Sequence, residues 1–160
     1  MAMVTHLDIV TAERMIFSGP VLMVIAPALM GDVGITPRHT PLLTPLRAGE
    51  VELEGPEGDR QSFFVSGGIL EVQPHTITIL ADSAMAPDEI VEAEARQARR
   101  RAEQALKIQL DQTEMATAYA ELYRALAQLH ILEKSRRGRR HRPHREVPAE
   151  PAPAPPEDPS

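Results

Sequence analysis

The chain has 160 residues, with 23 acidic against 17 basic side chains, a formal net charge of −6 at pH 7, and no cysteine. This length allows one ordinary domain with an appendage, and a large enzyme with its own deep cleft is not expected. The negative charge argues against general nucleic-acid binding, and the absence of cysteine excludes disulfides and thiolate metal sites.

Glycine and proline divide the chain into three regions. Eight of the nine glycines lie between Gly19 and Gly68, neither type occurs from residue 88 to 137, and seven prolines lie between Pro143 and Pro159. This distribution predicts a β-rich domain over residues 1–86, a helical segment over 87–134 and a tail over 135–160.

Short apolar stretches with turn residues between them fill the first region. The stretches are residues 4–10, 21–26, 51–53, 62–65, 69–72 and 76–80. The last, TITIL, alternates strictly and places Ile77 and Ile79 on one face, as in a half-buried strand. The sequences GPEGD (55–59) and SGG (66–68) supply the positive φ angles that hairpin turns need. The pattern predicts a compact sandwich or barrel.

The longest apolar run, VLMVIAPALM, covers residues 21–30 and is interrupted by Pro27. It is half the roughly 20 residues that a membrane-spanning helix requires, so no membrane insertion is predicted. The run lacks alternation, and an outward Leu22 or Val24 would need cover from a partner.

The region after residue 86 has the pattern of two helices. Pro87, Asp88 and Glu89 are typical of a helix start, and DQTE (111–114) is typical of a capping box that starts a second helix. Apolar residues recur at intervals of three and four in both segments, at Val91, Ala95, Ala98, Ala102 and Ala105, then at Met115, Ala118, Leu122, Ala125, Leu129 and Leu132. Two such seams with a short connection predict an antiparallel hairpin.

The first seam consists mostly of alanine, which buries little more than methyl groups. At about 0.8 kcal/mol per buried methylene-sized group, it hardly offsets the entropy of ordering two helices. The hairpin is therefore expected to need a partner surface, and to be a natural two-state element.

Asp32, Arg38 and His39 lie in the stretch GDVGITPRHTPLL (31–43), which is predicted to be a loop. An Asp and a His can form a general base pair, but no nucleophile motif such as GxSxG accompanies them. A plain loop between strands and a protein contact site both remain open. The six histidines have no metal-ligand spacing such as HExxH.

Two basic runs occur, RQARRR (96–101) within the first predicted helix and RRGRRHRPHR (136–145) in the tail. The first alternates with glutamates and is typical of a solvated, salt-bridged face. The second has no aromatic residue for base stacking; RNA, an anionic lipid surface, an acidic protein partner and disorder all stay open. Residues 146–160 are proline, alanine and glutamate in low complexity, and disorder is expected.

Four motifs in order resemble the epsilon subunit of the bacterial F-type ATP synthase. They are HLDIVTAERMIFSG (6–19), GDVGITPRHTPLL (31–43), VSGGILEVQPHTITILAD (65–82) and the two-helix end, so that the likeness covers residues 1–134. The resemblance implies an α+β chain with an N-terminal β-sandwich of about ten strands, a C-terminal antiparallel two-helix hairpin and a disordered tail.

The resemblance also implies a non-catalytic rotor subunit without cofactors, on the cytoplasmic face of the bacterial inner membrane. Its expected partners are the gamma subunit, the ring of c subunits and, through an extended hairpin that restrains ATP hydrolysis, the alpha and beta subunits. Asp32, Arg38 and His39 fall in the motif that meets the c ring, and Arg38 stands where glycine is usual. Basic residues of the second helix and its extension are expected to dock on acidic surfaces of the catalytic head: Arg124, Lys134, Arg136 and Arg137.

An alternative is an ATP-sensing regulatory subunit, since some members of the resembling family bind ATP through an [IL]DxxRA motif. The aligned residues 90–95 are IVEAEA, with Val91 for the aspartate and Glu94 for the arginine. Only Arg101 and Arg124 match the other basic positions. Weak or absent ATP binding is therefore predicted.

Overall fold

The structure is a computed structural model that describes residues 3–140, and its first part is a β-sandwich of ten strands. The strands are β1 (Thr5–Val10), β2 (Met15–Val21), β3 (Met23–Ala28), β4 (Gly31–Ile35), β5 (Leu42–Leu46), β6 (Gly49–Glu54), β7 (Arg60–Val65), β8 (Gly68–Val72), β9 (Thr76–Ala81) and β10 (Ala84–Met85). The sandwich predicted for this part of the chain is confirmed.

The strands form one hydrogen-bonded path in the order β10-β7-β6-β3-β5-β8-β9-β1-β2, with β4 paired to β3. β1 and β9 are parallel, and the other neighbours are antiparallel. The path turns from one layer to the other between β3 and β5, which are joined by the single pair Ala28 and Leu46. One layer is therefore β10-β7-β6-β3 with β4, and the other is β5-β8-β9-β1-β2.

Alternating apolar residues from both layers fill the core. Leu7, Ile9, Val51, Ile77 and Ile79 are all at most 1% exposed, and the period-two reading of TITIL is confirmed. Burying each such side chain contributes roughly 1.5 to 3 kcal/mol to the free energy of unfolding, so the packing of the two layers against each other is the main source of stability. Val24 also lies in this core and is fully buried. The hypothesis of an outward Val24 is therefore wrong, because its neighbours Met23 and Ile25 point outward instead.

Gly58 has φ of 80° in the hairpin turn between β6 and β7, as predicted. Gly67 and Gly68 have φ of 125° and 139° at the start of β8. The hairpin predicted at SGG is wrong, because β7 and β8 are not paired and the chain passes there from one layer to the other. A Cβ on Gly68 would lie 2.1 Å from the carbonyl oxygen of Leu80. Only glycine fits there, because β8 and β9 approach so closely at this pair.

Two helices follow a 3-10 turn at Pro87–Glu89: α1 (Glu92–Leu106) and α2 (Gln112–Arg140). The amide of Glu114 donates to the Asp111 carboxylate at 2.8 Å and the amide of Asp111 donates to Glu114 at 3.2 Å, which confirms the capping box. α1 begins at Glu92, later than the predicted start at Pro87. α2 continues to Arg140, so residues 135–140, predicted as tail, are helical. Ion pairs of Arg136 with Glu92 and of Arg137 with Glu133 support this end of the helix. Residues 141–160 of the predicted tail lie outside the described residues.

The two helices pack against each other through the alanine seam. Ala95, Ala102, Ala118 and Ala125 are each at most 4% exposed. In addition to its contact with α1, α2 packs on β6 and β7. In this structure the hairpin therefore lies against the sandwich of the same chain.

Candidate functional site

The stretch 31–43 is not one loop. It comprises β4, a turn over residues 36–41 and the start of β5. Asp32 lies on β4, where its carboxylate accepts a hydrogen bond of 2.6 Å from the Arg47 guanidinium. At about 3.3 Å per residue, roughly 10 Å of strand separates Asp32 from the turn. The structure therefore does not bring Asp32 together with Arg38 and His39, and the prediction of a shared loop is wrong.

Arg38 and His39 lie side by side in the turn. Arg38 has φ of +64°, the one non-glycine positive φ among residues 3–140. Its amide donates to the carbonyl of Pro74 at 3.2 Å, which ties the turn to the connection between β8 and β9. Its guanidinium side chain is exposed. The backbone is thus held in a left-handed conformation that presents a cation to solvent.

His39 is fixed at two points. Its amide donates to the carbonyl of Thr36 at 3.2 Å, and its Nδ1 lies 2.7 Å from the carbonyl oxygen of Thr40. Because a carbonyl only accepts, Nδ1 must carry the proton there. The half-buried ring is therefore held in one orientation.

The hairpin is attached to the sandwich by a small apolar cluster. Phe64 of β7, Ile90 before α1 and Ile131 of α2 are at most 7% exposed and pack together. Met85, Ala127 and Leu132 are partly buried around them. This cluster is far smaller than the sandwich core, so the hairpin is held more weakly than the strands are.

Lys134 forms a charged clamp beside this cluster. Its ammonium donates to Glu50 at 3.0 Å and to Glu52, both on the outer face of β6. The carboxylates are only 18% and 21% exposed, and His130 lies 3.7 Å from Glu50. Burial lowers the pKa of Lys134, but the hydrogen bonds to Glu52 and Glu50 outweigh it and raise that pKa above its usual value. We refer to Lys134, Glu50 and Glu52 as the Lys134 clamp.

A second clamp joins the two helices. The Arg136 guanidinium of α2 donates to Glu92 at the start of α1, and Arg96 donates to the same carboxylate at 2.7 Å. These hydrogen bonds, the one from Arg136 first, lower the pKa of Glu92 from 4.5 to about 2. We refer to Arg136 and Glu92 as the Arg136 clamp.

The remaining predicted basic residues are more exposed. Arg137 donates to Glu133 one turn earlier at 2.5 Å, with both side chains more than 60% exposed. Arg124 is exposed on α2. The four basic residues predicted to act together therefore have different partners. Lys134 is bound to the sandwich and Arg136 to α1, whereas Arg124 and Arg137 lie at the surface.

A third contact fixes the connection between sandwich and hairpin. Glu89 accepts from the amide of Ala86 at 2.8 Å and from Arg14 of the β1–β2 turn at 2.6 Å. The bond from the Ala86 amide, followed by that from Arg14, lowers the pKa of Glu89. Because Arg14 belongs to the sandwich, this pair orients the point from which the hairpin leaves.

An apolar surface on the opposite layer was missed at the sequence level. Ile69, Leu80 and Met15 are 48%, 53% and 56% exposed on the outer face. Strand pairing places them in one line across five strands. The line is Pro45 beside Ile69, Ile69 beside Leu80, Leu80 beside Val10, and Val10 beside Met15. We refer to these five residues as the outer apolar row.

A signal for this row was present in the sequence. Leu80 follows Ile79, and Ile69 precedes Leu70, so each adds an apolar residue on the face that alternation leaves for polar side chains. What the sequence does not give is the pairing register that brings these residues into one line. Exposed apolar surfaces of this kind are typical of sites that contact other proteins.

The described part of the chain offers little for other kinds of site. Residues 3–140 contain no group of three His, Asp or Glu side chains arranged to hold a metal ion. None of the helices there is both long and apolar enough to span a bilayer.

Comparisons with known proteins agree with this geometry. The family model for the β-sandwich domain of the ATP synthase delta/epsilon chain matches residues 4–87. The ATP synthase epsilon chain of Nitrosococcus oceani is 55% identical over 137 residues, which is 86% of this chain and 98% of that protein. That of Halorhodospira halophila is 53% identical over 82% of this chain and 94% of its own length.

Solved structures share the fold. A chain of the Euglena gracilis mitochondrial ATP synthase superposes with a TM-score of 0.69 at 19% identity, over 82% of this chain and 81% of that one. A chain from the central stalk and c ring of the Tetrahymena thermophila enzyme gives 0.56 at 15% identity, over 80% and 96%. Because the family model spans more than half of the sequence and the bacterial relatives match most of it, this chain belongs to the ATP synthase epsilon-chain family.

Proposed function

We propose that this chain is a non-catalytic rotor subunit in the central stalk of a proton-translocating ATP synthase. It is peripheral to the cytoplasmic face of the bacterial inner membrane, couples rotation of the c ring to the catalytic head through gamma, and restrains ATP hydrolysis with its hairpin. The names of its bacterial relatives and its exposed contact surfaces support this proposal.

The outer apolar row is the surface we assign to gamma. Its exposed side chains lie on a rigid sheet, so binding costs little ordering of backbone. Replacing Ile69 by Lys in the full chain is expected to abolish co-purification with gamma. Replacing Gln61, an exposed residue of β7 on the other layer, by Lys is the control and is expected to leave it unchanged. Equal recovery of gamma with both variants would contradict the assignment.

The turn over residues 36–41 is the surface we assign to the c ring. Arg38 and His39 are held there by backbone contacts with Pro74 and Thr36, while Asp32 is paired with Arg47 on β4. We therefore assign Arg38 and His39 the direct contact and Asp32 a supporting one. Arg38→Glu in the assembled enzyme should lower proton-driven ATP synthesis more than Asp32→Asn does, and the reverse order would refute this division.

The observation that carries the regulatory part is the way the hairpin is attached. A small apolar cluster and the Lys134 clamp hold it on the sandwich, while the Arg136 clamp joins its two helices. When the hairpin leaves the sandwich, Lys134 becomes available for acidic surfaces of the alpha and beta subunits, together with Arg124 and Arg137. Arg136 joins them when α1 and α2 also separate. Contacts that are exchanged rather than simply lost allow two states of similar free energy.

The test is ATP hydrolysis by the assembled enzyme carrying the full chain, residues 1–140, or residues 1–86. Hydrolysis should be slowest with the full chain and fastest with residues 1–86, because only the latter lacks the hairpin. Residues 1–140 keep all of α2 and so isolate the contribution of residues 141–160. Equal rates in all three would exclude a restraining role for the hairpin.

A further inference from the structure

A groove of about 540 Å³ lies between α2 and the strands β3 and β6. Besides apolar side chains, its lining contains three carboxylates and two permanent cations: Asp32, Glu50, Glu52, Arg47 and Lys134. Arg47 is paired with Asp32 at 2.6 Å. Within the lining, Lys134 therefore serves both Glu50 and Glu52, and the groove keeps an excess of one negative charge.

His130 is the remaining side chain of this lining that can carry a positive charge. Its Nε2 lies 3.7 Å from the Glu50 carboxylate, and the residue precedes Lys134 by one turn of α2. The His130 side chain is 65% exposed and so exchanges protons with solvent, whereas that of Glu50 is only 18% exposed. Hydrogen bonds from Ser62 at 2.6 Å and from Lys134 at 3.0 Å hold Glu50 in place. A proton on His130 therefore adds a cation beside a carboxylate whose position is fixed.

On the sheet side, the two carboxylates of β6 differ in their partners. Arg60 of β7 lies 3.6 Å from Glu52, so that carboxylate has a second cation besides Lys134. Glu50 takes its other hydrogen bond from a neutral hydroxyl instead. The excess negative charge is therefore centred on Glu50, the residue that His130 faces.

On the helix side, Lys134 is the charge that a protonated His130 meets. Positions i and i+4 are neighbours on a helix, so the two cations repel each other. This repulsion exists whether or not the hairpin is docked, and only docking brings the carboxylates of β6 close enough to offset it. Tyr123, two turns earlier, adds a neutral phenol to the lining. Glu133 accepts from Arg137 at 2.5 Å, and the charged side chains of α1 line a separate groove between the two helices.

We propose that His130 is a pH-sensitive latch, which strengthens docking of the hairpin on the sandwich when it is protonated. Histidine side chains change charge between about pH 5 and pH 8, so the cation is present on the acid side of this range and absent on the alkaline side. Because the docked state places that cation beside Glu50, a fall in pH favours docking and a rise in pH favours release. This range lies well above the acid range in which the Arg136 clamp responds.

Amide exchange of the full-length chain at pH 6 and at pH 8 tests the latch. The measured quantity is the protection factor of the amides over residues 126–132, which is the intrinsic exchange rate at each pH divided by the observed rate. This ratio removes the ordinary effect of pH on exchange. It should be about twofold to fivefold higher at pH 6, as expected for one partly exposed ion pair. The amides of β1 and β9 report on the sandwich alone and serve as the internal reference.

Three variants separate the charge of the ring from its other effects. His130→Gln is neutral at both pH values and should give lower protection without the pH response. His130→Arg is positive at both and should give high protection at both. His75, exposed in the connection between β8 and β9, supplies the matched control, since His75→Gln should keep the full response.

A pH response that persists in His130→Gln would overturn the proposal, because another group would then be its source. Equal protection at the two pH values in the unmodified chain, or higher protection at pH 8, would overturn it as well.

The latch concerns the isolated chain, whereas its effect on the enzyme rests on the proposed function. There, acid pH holds the hairpin away from the catalytic head. His130→Gln should therefore lower ATP hydrolysis by the assembled enzyme more at pH 6 than at pH 8. If the exchange results are as expected and hydrolysis does not change, the regulatory part of the proposed function is contradicted and the latch is not.

Discussion

Arg38 lies in a backbone conformation that carries a cost for any residue with a Cβ. The resemblance described above implies glycine at this position, and the backbone here has φ of +64°. A residue with a Cβ is strained by roughly 1 to 2 kcal/mol in the left-handed region. Glycine avoids this strain but lowers stability by about 0.5 to 1 kcal/mol, because it has more backbone freedom to lose on folding. An exposed arginine retained in such a conformation fits a contact role for its side chain.

Arg38→Gly is therefore expected to raise the free energy of unfolding by up to about 1 kcal/mol. Denaturant unfolding of the isolated chain measures this. Arg38→Ala is the control, because it removes the guanidinium and keeps the Cβ, and it should give no gain. A gain of equal size with Ala would show that the side chain, rather than the backbone, is the source of strain.

Glu94 is a second single residue with a functional consequence, which concerns nucleotide binding. It is exposed in the first turn of α1, and Val91, which replaces the aspartate of the [IL]DxxRA pattern, is 52% exposed at the helix N-cap. An anion where a cation is expected repels a triphosphate. Isothermal titration of the full chain with MgATP should give no binding at micromolar concentrations. A micromolar dissociation constant would refute this prediction, and the double variant Val91→Asp with Glu94→Arg tests whether binding is restored.

At the scale of elements, the Lys134 clamp is the main polar contact between α2 and the sandwich. Lys134→Ala removes the ammonium between Glu50 and Glu52, which keep Ser62 at 2.6 Å and Arg60 at 3.6 Å as partners, so the docked hairpin is destabilised mainly by the lost pair. Amide exchange in α2 should become faster while exchange in β1 and β9 stays unchanged. Arg137→Ala removes an exposed pair within one helix, typically worth about 0.3 to 0.5 kcal/mol, and should change α2 far less.

The Arg136 clamp makes the helix pair sensitive to acid. The folded pKa of Glu92 is about 2 against an ordinary 4.5, so its stabilising effect is complete above pH 4.5 and is lost as the pH falls toward 2. Helix content followed by circular dichroism should therefore fall over this range. Glu92→Gln should lessen the dependence on pH, because its side chain does not titrate. An identical pH profile in the variant would contradict a role for this carboxylate.

At the scale of the whole molecule, charge is distributed unevenly between the two parts. Residues 1–86 hold ten acidic and four basic side chains, whereas residues 87–140 hold nine acidic and eleven basic. The sandwich therefore attracts the hairpin beyond the individual clamps. Salt screens this attraction, with a Debye length that falls from about 10 Å at 0.1 M to about 3 Å at 1 M.

Raising NaCl from low concentration to 1 M should accordingly speed amide exchange in α2 of the full chain. The effect should be smaller in Lys134→Ala, which has already lost its closest charged contact. Exchange that is independent of salt, or slowed by it, would mean that the apolar cluster of Phe64, Ile90 and Ile131 alone determines docking.

Local sequence patterns predicted much of this architecture. The features that they did not predict depend on contacts between residues far apart in the sequence. The capping box at Asp111, the hairpin turn at Gly58 and the TITIL strand depend on neighbours within a few residues, and each is confirmed. The run 21–30 is apolar throughout, so periodicity could not tell that Val24 faces the core. The Arg136 clamp joins residues 44 positions apart, and the outer apolar row depends on register between strands, which no single-strand pattern encodes.

The division of the sandwich into two layers joined by one pair at Ala28 and Leu46 has a mechanical consequence. The hairpin sits on the outside of β6 and β7, and the outer apolar row lies on the outside of the other layer, with the core between them. A partner bound along the row therefore leaves the departure route of the hairpin unobstructed. Under the proposed function, the subunit would stay bound through one face while the hairpin leaves the other, so switching would not require dissociation and reassembly.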